Sequence, residues 1–196
     1  MKLKRTSKSA APITLAQARS QLRIIPFGDP LAHPDDAYIQ TLIDTATTWC
    51  EQYTGVELYQ GTYEVVMDDF PLGDIRLPIS PVTAITSIVY KDASGIEQTL
   101  SNTKYTLDTY GASNLIYLTN GNTYPDVFDE PNAVKITLTA GVVAPESPIL
   151  HAIKLIITNY YENRQEDQMS SARLSFNSLP MGVKELLQPY RVELGF

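Results

Sequence analysis

The sequence predicts an α+β protein, a small helical bundle of N- and C-terminal helices interrupted by a mostly antiparallel β module. Three observations carry this. Apolar residues recur at helical spacing up to Gly55, short β-branched and aromatic runs fill Gly61 to Ala140, and helical spacing returns after Pro145. The expected order is a disordered basic arm over 1–12, helices over 13–55, an inserted β module over 56–145 and C-terminal helices over 146–196, within a single domain. A chain of 196 residues buries roughly 70% of its unfolded surface on folding, enough to need neither disulfides nor metal.

The first helix is expected to begin at Thr14. Thr14 and Gln17 have capping-box spacing, Ile13 and Ala18 suit a hydrophobic staple, and Leu15, Ala18 and Leu22 share one face. Ile25 through Pro34 holds three prolines and Gly28 and reads as a loop. A second helix follows Pro34-Asp35-Asp36, whose proline and acids suit a helix start. Ile39, Leu42, Ile43, Ala46, Trp49, Cys50 and Tyr53 continue it, and Gly55 is its natural stop.

Strands are expected at Thr62–Met67, Ile75–Leu77, Thr83–Lys91, Glu97–Leu100, Tyr105–Asp108, Leu115–Leu118 and Ala133–Thr139. Asp92-Ala93-Ser94-Gly95 reads as a hairpin loop in which Gly95 takes positive φ. Val134, Ile136 and Leu138 alternate cleanly onto one face. Ser147-Pro148 reads as N-cap and N1 of a third helix running to about residue 164. Its polar residues His151, Lys154, Thr158 and Glu162 form a narrow stripe, so this helix either is the centre of its domain or also meets another subunit. Residues 165–177 are polar and irregular, and a short helix is expected over Gly182 to Gln188.

Composition narrows the function. The apolar fraction of 43% and charged fraction of 19% fit a globular protein. No stretch approaches ~20 apolar residues, so no membrane span is expected. The opening Met1-Lys2-Leu3-Lys4-Arg5 is followed by Thr, Ser and Lys, so no signal peptide is expected and the protein should stay in the cytosol that makes it. The single Cys50 excludes an internal disulfide and a multi-cysteine metal site. Net charge is −7, but four of the 15 basic residues lie in the first twelve; the body keeps 11 against 22 acids, a charge of −11. Such a body lacks the basic footprint of a DNA reader.

Chemistry finds little to hold. His33 falls in a loop and His151 on a polar helix stripe, neither within a metal-ligand or nucleophile motif. Cys50 lies on an apolar helix face beside Glu51, the setting of an inert buried thiol. Asp35-Asp36 is accounted for by helix capping, while Asp68-Asp69 and Asp129-Glu130 flank turns. Phosphate-binding glycine loops are absent. No catalytic residue, metal or cofactor is therefore expected, and the chain reads as a non-enzyme. Of its 12 tyrosines, Tyr63, Tyr90, Tyr105 and Tyr117 suit the sheet. Tyr160, Tyr161 and Tyr190 sit at helix ends with spare apolar surface and suit an interface.

Taken in order, several segments resemble the head–tail connector (adaptor) proteins of tailed bacteriophages and prophages, in the family with a β insertion between its helices. They are Leu15, Ala18, Leu22 and Arg23; Asp35-Asp36 through Thr54-Gly55; and Ile75-Arg76-Leu77-Pro78 with Pro81-Val82, Ile85, Ser87-Ile88, Tyr90, Asp92 and Gly95. Pro148-Ile149 through Tyr161-Glu162-Asn163-Arg164 and Pro180-Met181-Gly182-Val183 through Pro189-Tyr190-Arg191 complete it, over about residues 13 to 191. The basic arm lies outside the resemblance, the Ile25–Pro34 loop is longer than the family needs, and Tyr124-Pro125 stands where a Trp-Pro is expected.

The resemblance implies a structural virion protein of the neck, assembled in the bacterial host cytoplasm. It implies a homo-oligomeric ring of about twelve copies that docks beneath the portal protein, extends the channel for double-stranded DNA and presents a platform to a head-closure or tail-completion protein. DNA passes through such a lumen without sequence-specific binding, and an acidic wall lets it slide. Interface candidates are Trp49, Tyr53, Ile153, Ile157, Tyr160 and Tyr161; portal-docking candidates are Arg164, Tyr190 and Arg191, within a C-terminal segment expected to be removable after Arg164 without unfolding the rest. Two other readings stand beside this one: a monomeric β-rich module recognising a glycan or protein surface, and a small hydrolase using Asp68 and Asp69.

Overall fold

The structure, a computed structural model, describes residues 1–24, 33–110, 114–163 and 182–192. These form two compact units: a β unit of residues 1–10, 55–143 and Val192, and a helical unit drawn from residues 11–54 and 144–191.

The β unit opens with β1 (Lys2–Arg5), and continues with β2 (Gly61–Met67), β3 (Ile75–Arg76), β4 (Val82–Lys91), β5 (Glu97–Thr99), β6 (Tyr105–Asp108), β7 (Leu115–Leu118) and β8 (Val134–Ala140). One antiparallel sheet has the order β1-β2-β8-β4-β5, and a smaller antiparallel sheet has the order β3-β7-β6. Period-two alternation points Tyr63, Val65 and Met67 of β2 and Val134, Ile136, Leu138 and Ala140 of β8 into one core. Ile75, Leu77, Ile79, Tyr105 and Ile116 join the same core from the smaller sheet and its approach. The buried Asn114 fastens that approach: its Nδ2 donates to the Ile79 carbonyl at 3.1 Å, and its carbonyl accepts from Leu77 N–H at 2.9 Å. Tyr124, at the departure from the family pattern, stacks on Phe70 with ring centroids 4.6 Å apart.

The N-terminal arm is a correction. Lys2–Arg5 is strand, paired antiparallel with β2 so that Lys4 faces Glu64 and Arg5 faces Tyr63. Beyond it, the Thr6 and Ser7 amides donate to the Thr62 carbonyl and the Ser9 amide to the Gln60 carbonyl. Charged side chains do not prevent this, because an edge strand pairs through its backbone while its side chains stay in water. Arg5 adds an ion pair with Glu57 and lies over the Tyr63 and Tyr59 rings, 5.3 and 5.7 Å from their centroids.

The helical unit contains α1 (Leu15–Gln21), α2 (Asp36–Thr54), α3 (Ser147–Glu162) and α4 (Val183–Leu187), followed by a 3-10 turn at Gln188–Tyr190. The capping box forms as read: Gln17 N–H donates to Thr14 Oγ1 at 3.2 Å, and Thr14 N–H donates to Gln17 Oε1 at 2.9 Å. Helix α2 buries Ile39, Leu42, Ile43, Ala46 and Cys50 along one face, and Gly55 takes φ +70° just past its end. Helix α3 starts one residue earlier than expected: Glu146 rather than Ser147 is the N-cap, and its carbonyl accepts from the Ile149 and Leu150 amides.

Helix α3 packs against α1, α2 and α4, which makes it the central helix of its unit and accounts for its wide apolar arc. Val183 and Leu187 of α4 are fully buried in the same unit. Truncation after residue 164 therefore removes part of the helical core, contrary to the expectation that it leaves a folded protein. The Ile25–Pro34 loop as read from sequence and the polar 165–177 stretch lie almost wholly or wholly outside the described residues.

Candidate functional site

The helical unit holds most of the residues singled out for assembly, and it sorts them sharply. Ile153 and Ile157 are each 0% exposed. They face the unit's own core, so they are corrected from interface candidates to core residues. Periodicity had marked them as apolar and needing cover; α1, α2 and α4 supply that cover.

Trp49 and Tyr53 stay half-exposed on α2. Their four-residue spacing puts them on one face, where the rings stack at 5.2 Å between centroids and 12° between planes. A stacked, half-exposed Trp–Tyr pair is preorganised, so little side-chain entropy remains to be lost when a partner covers it.

Tyr160 and Tyr161 close α3 and meet the start of α2. The Tyr161 hydroxyl donates to Asp35 Oδ2 at 2.6 Å, and its ring lies 6.3 Å from that of Tyr38. The Tyr38 hydroxyl donates to the Tyr160 carbonyl at 3.4 Å. Tyr161 is thus tied within the unit, while Tyr160 is half-exposed beside it. Tyr38 belongs to this group and escaped the sequence reading; its signal was a large aromatic on the otherwise polar side of the second helix.

Asp35 and Asp36 do more than cap a helix. Arg19 grips Asp36 with two donors, Nε to Oδ1 at 2.7 Å and a second guanidinium nitrogen to Oδ2, and the His33 amide donates to Oδ2 at 2.8 Å. The Arg19 hydrogen bonds hold the Asp36 carboxyl below its ordinary value, against the opposing effect of burial. A carboxyl with a folded pKa below its unfolded value of ~3.9 stabilises fully above that value and stops doing so as pH falls through the folded value. Asp36→Asn should accordingly melt at a lower temperature than the parent at pH 7. The gap should close stepwise as pH drops below about 4, followed by circular dichroism. A gap that is constant down to pH ~2.5 would mean that the Arg19 pair does not act through charge.

Tyr190 donates its hydroxyl to Glu146 Oε2 at 2.7 Å, while Arg191 is exposed. Arg164 lies outside the described residues.

The residues considered for chemistry are accounted for structurally. Cys50 is buried, and desolvation, aided by the Glu51 charge, pushes its thiol up to about 12. Asp68 Oδ1 accepts from the Asn132 amide at 2.8 Å, and Asp69 Oδ1 accepts from the Phe70 amide at 2.6 Å. Both carboxylates cap backbone. An open recess of about 340 Å³ between α1 and α3 is lined by Gln17, Ser20, Gln21, Arg23 and Lys154, with no acid to serve as a base. Among the described residues no group of three or more His, Cys, Asp or Glu is placed to hold a metal ion, and no helix is long and apolar enough to cross a membrane.

No family model matches the sequence, and no curated protein matches it. Solved structures do. The chain is similar to one in the neck of an empty gene transfer agent particle computed with C6 symmetry, at 25% identity and TM-score 0.76, covering 98% of this chain and 96% of that one. Chains in the virion of a native gene transfer agent particle (22% identity, TM-score 0.75) and in the neck of the native particle computed with C12 symmetry (21%, 0.72) match over the same 98% and 96%. These neighbours are parts of a particle neck and virion, not enzymes. The fold of this chain, α+β with antiparallel sheets, is that of a phage-like particle's neck protein.

Proposed function

We propose that this chain is a head–tail connector, or adaptor: a structural virion protein that closes into a ring beneath the portal, extends the DNA channel and gives neck or tail components their attachment platform. The observation that carries the reading is the end-to-end likeness to a chain of a gene transfer agent neck, at TM-score 0.76 over 98% of this chain. The sequence resemblance to the connector family runs over about residues 13 to 191 and points the same way independently.

Cyclic symmetry asks each subunit to meet its two neighbours through different faces. The stacked Trp49 and Tyr53 on α2 are offered for one of them, with Tyr160 as a further contact. Arg191 and Tyr190 are offered to the portal, together with Arg164 from the sequence. A ring of about twelve copies, assembled in the host cytoplasm and carried in the virion neck, would place an acidic wall around DNA that slides without being read. A head-closure or tail-completion protein would take the opposite face.

Size-exclusion chromatography with light scattering, with and without the cognate portal ring, tests this. A ring-sized mass is expected, either alone or once the portal templates it. A strict monomer that ignores the portal would overturn the connector and favour a β-rich binding module acting alone.

A further inference from the structure

The five-stranded sheet ends in two strands that are each paired on one side only, β1 and β5. Such edges present rows of backbone donors and acceptors, and folded proteins ordinarily shorten, charge or cover them. Here the two edges match in length, four residues against three, and differ in chemistry.

The β1 edge is positive and carries an apolar residue. Lys2 and Lys4 flank Leu3, which is 40% exposed. Glu64 lies opposite Lys4 and Glu57 pairs with Arg5, while Lys2 donates to the neutral Asn132 Oδ1, so three cations of β1 face two acids and the balance is positive. The β5 edge is negative and also carries apolar residues. Lys91 is engaged by Glu130 and faces Glu97 in register, with Asp92 at the hairpin, so acids predominate. Ile96, immediately before β5, is 60% exposed, and Phe128, beside Gly95, is 41% exposed.

We propose that in the assembled ring β1 of one copy pairs with β5 of the next, joining the five-stranded sheets edge to edge. This rests on the ring reading above and names the contact through which the β units would meet. Leu3 would pack on Ile96 and Phe128, and Lys2 and Lys4 would approach Glu97. The charges also select the geometry. Two β1 edges would set lysine against lysine, and two β5 edges would set acid against acid. Only the head-to-tail arrangement is complementary, and that is the arrangement a ring repeats. With three or four residues per strand the contact is weak in isolation. It gains strength when a template holds neighbouring copies close, as the portal would.

Leu3→Cys and Ile96→Cys in one chain test the contact. The two positions lie on opposite edges of the sheet, four strand spacings or about 19 Å apart, so a short bis-maleimide cannot bridge them within one copy. The native Cys50 is buried and does not compete. The double variant, assembled on the portal and cross-linked, is expected to give a ladder of covalent multiples on a denaturing gel, and each single variant only monomer. Ring-sized mass without a ladder would overturn edge pairing and leave the connector standing. Dimers from a single variant would show like edges meeting and overturn the head-to-tail arrangement. Absence of any ring from the unmodified chain with portal would overturn both. A charge exchange reads the same contact without cysteines. Lys2→Glu with Lys4→Glu should lose ring-sized mass, and adding Glu97→Lys should restore it; no loss in the first, or no recovery in the second, would refute the pairing.

Discussion

Replacing Ile153 with Asp is expected to unfold the helical unit. Ile153 is fully buried at the centre of α3, the helix against which α1, α2 and α4 pack. The substitution forfeits about 1.5–3 kcal/mol of apolar burial. It also places a carboxylate at a fully buried position, and desolvating a charge there costs several kcal/mol more. Against a whole-protein stability of roughly 5–15 kcal/mol, that removes most of the margin. The measurement is hydrogen exchange across α2 and α3 together with thermal unfolding. Protection should collapse, whereas Ile153→Val should cost only about 0.5–1.5 kcal/mol. A normally folded Ile153→Asp would return this residue to the surface and to the interface candidates. Trp49→Ala supplies the contrast. It removes a half-exposed ring, so the helical unit should keep its protection pattern, and a loss of ring-sized mass in that variant would report on assembly.

Gly141→Ala should disrupt the β unit to a similar degree. Gly141 follows β8 with φ +111°, a conformation that side chains rarely adopt. An added Cβ would stand 2.2 Å from the Tyr59 carbonyl oxygen and 2.7 Å from Gln60 Cα. Both are backbone atoms, so no side-chain rotation relieves the clash. The neighbouring hydrogen bonds, Gly141 N–H to the Pro81 carbonyl and Val142 N–H to the Glu57 carbonyl, both 2.9 Å, hold the crossing in place. Strain of this kind alone costs about 1–3 kcal/mol. With the clash added, Tm should fall by at least about 6–12 °C. Gly73→Ala is the control, since its Cβ would meet nothing within 4 Å; it should change stability by less than about 0.5 kcal/mol. Equal Tm values for the two variants would mean that the close approach at Gly141 does not constrain the fold.

What could be read from the chain, and what could not, follows the range of the interactions. The Thr14–Gln17 capping box, the Gly55 stop, the Gly95 turn and the alternation of Val134, Ile136 and Leu138 all depend on residues within a few positions of one another. Each is present in the structure. The N-terminal strand escaped because its partner is distant in sequence: Lys4 pairs with Glu64. A basic, polar stretch looks solvated when only its own composition is considered. Asp35 and Asp36 looked like local capping residues for the same reason, yet they bind Tyr161 and Arg19.

The candidate interface divided along the same line. Trp49, Tyr53, Ile153 and Ile157 were equally apolar in the helical pattern, and hydrophobicity alone does not distinguish a residue covered by its own chain from one awaiting a partner. The sequence by itself determined the class of fold, the order of its elements from the first helix onward and the connector resemblance, because periodicity, capping and turn residues act locally. Only the tertiary structure decided which apolar side chains are spent on the subunit's own core and which stay exposed. It also decided that the basic arm is a strand, and that one sheet carries oppositely charged edges. Those outcomes depend on which distant segments pack together, and a residue's exposure is a property of the packed chain.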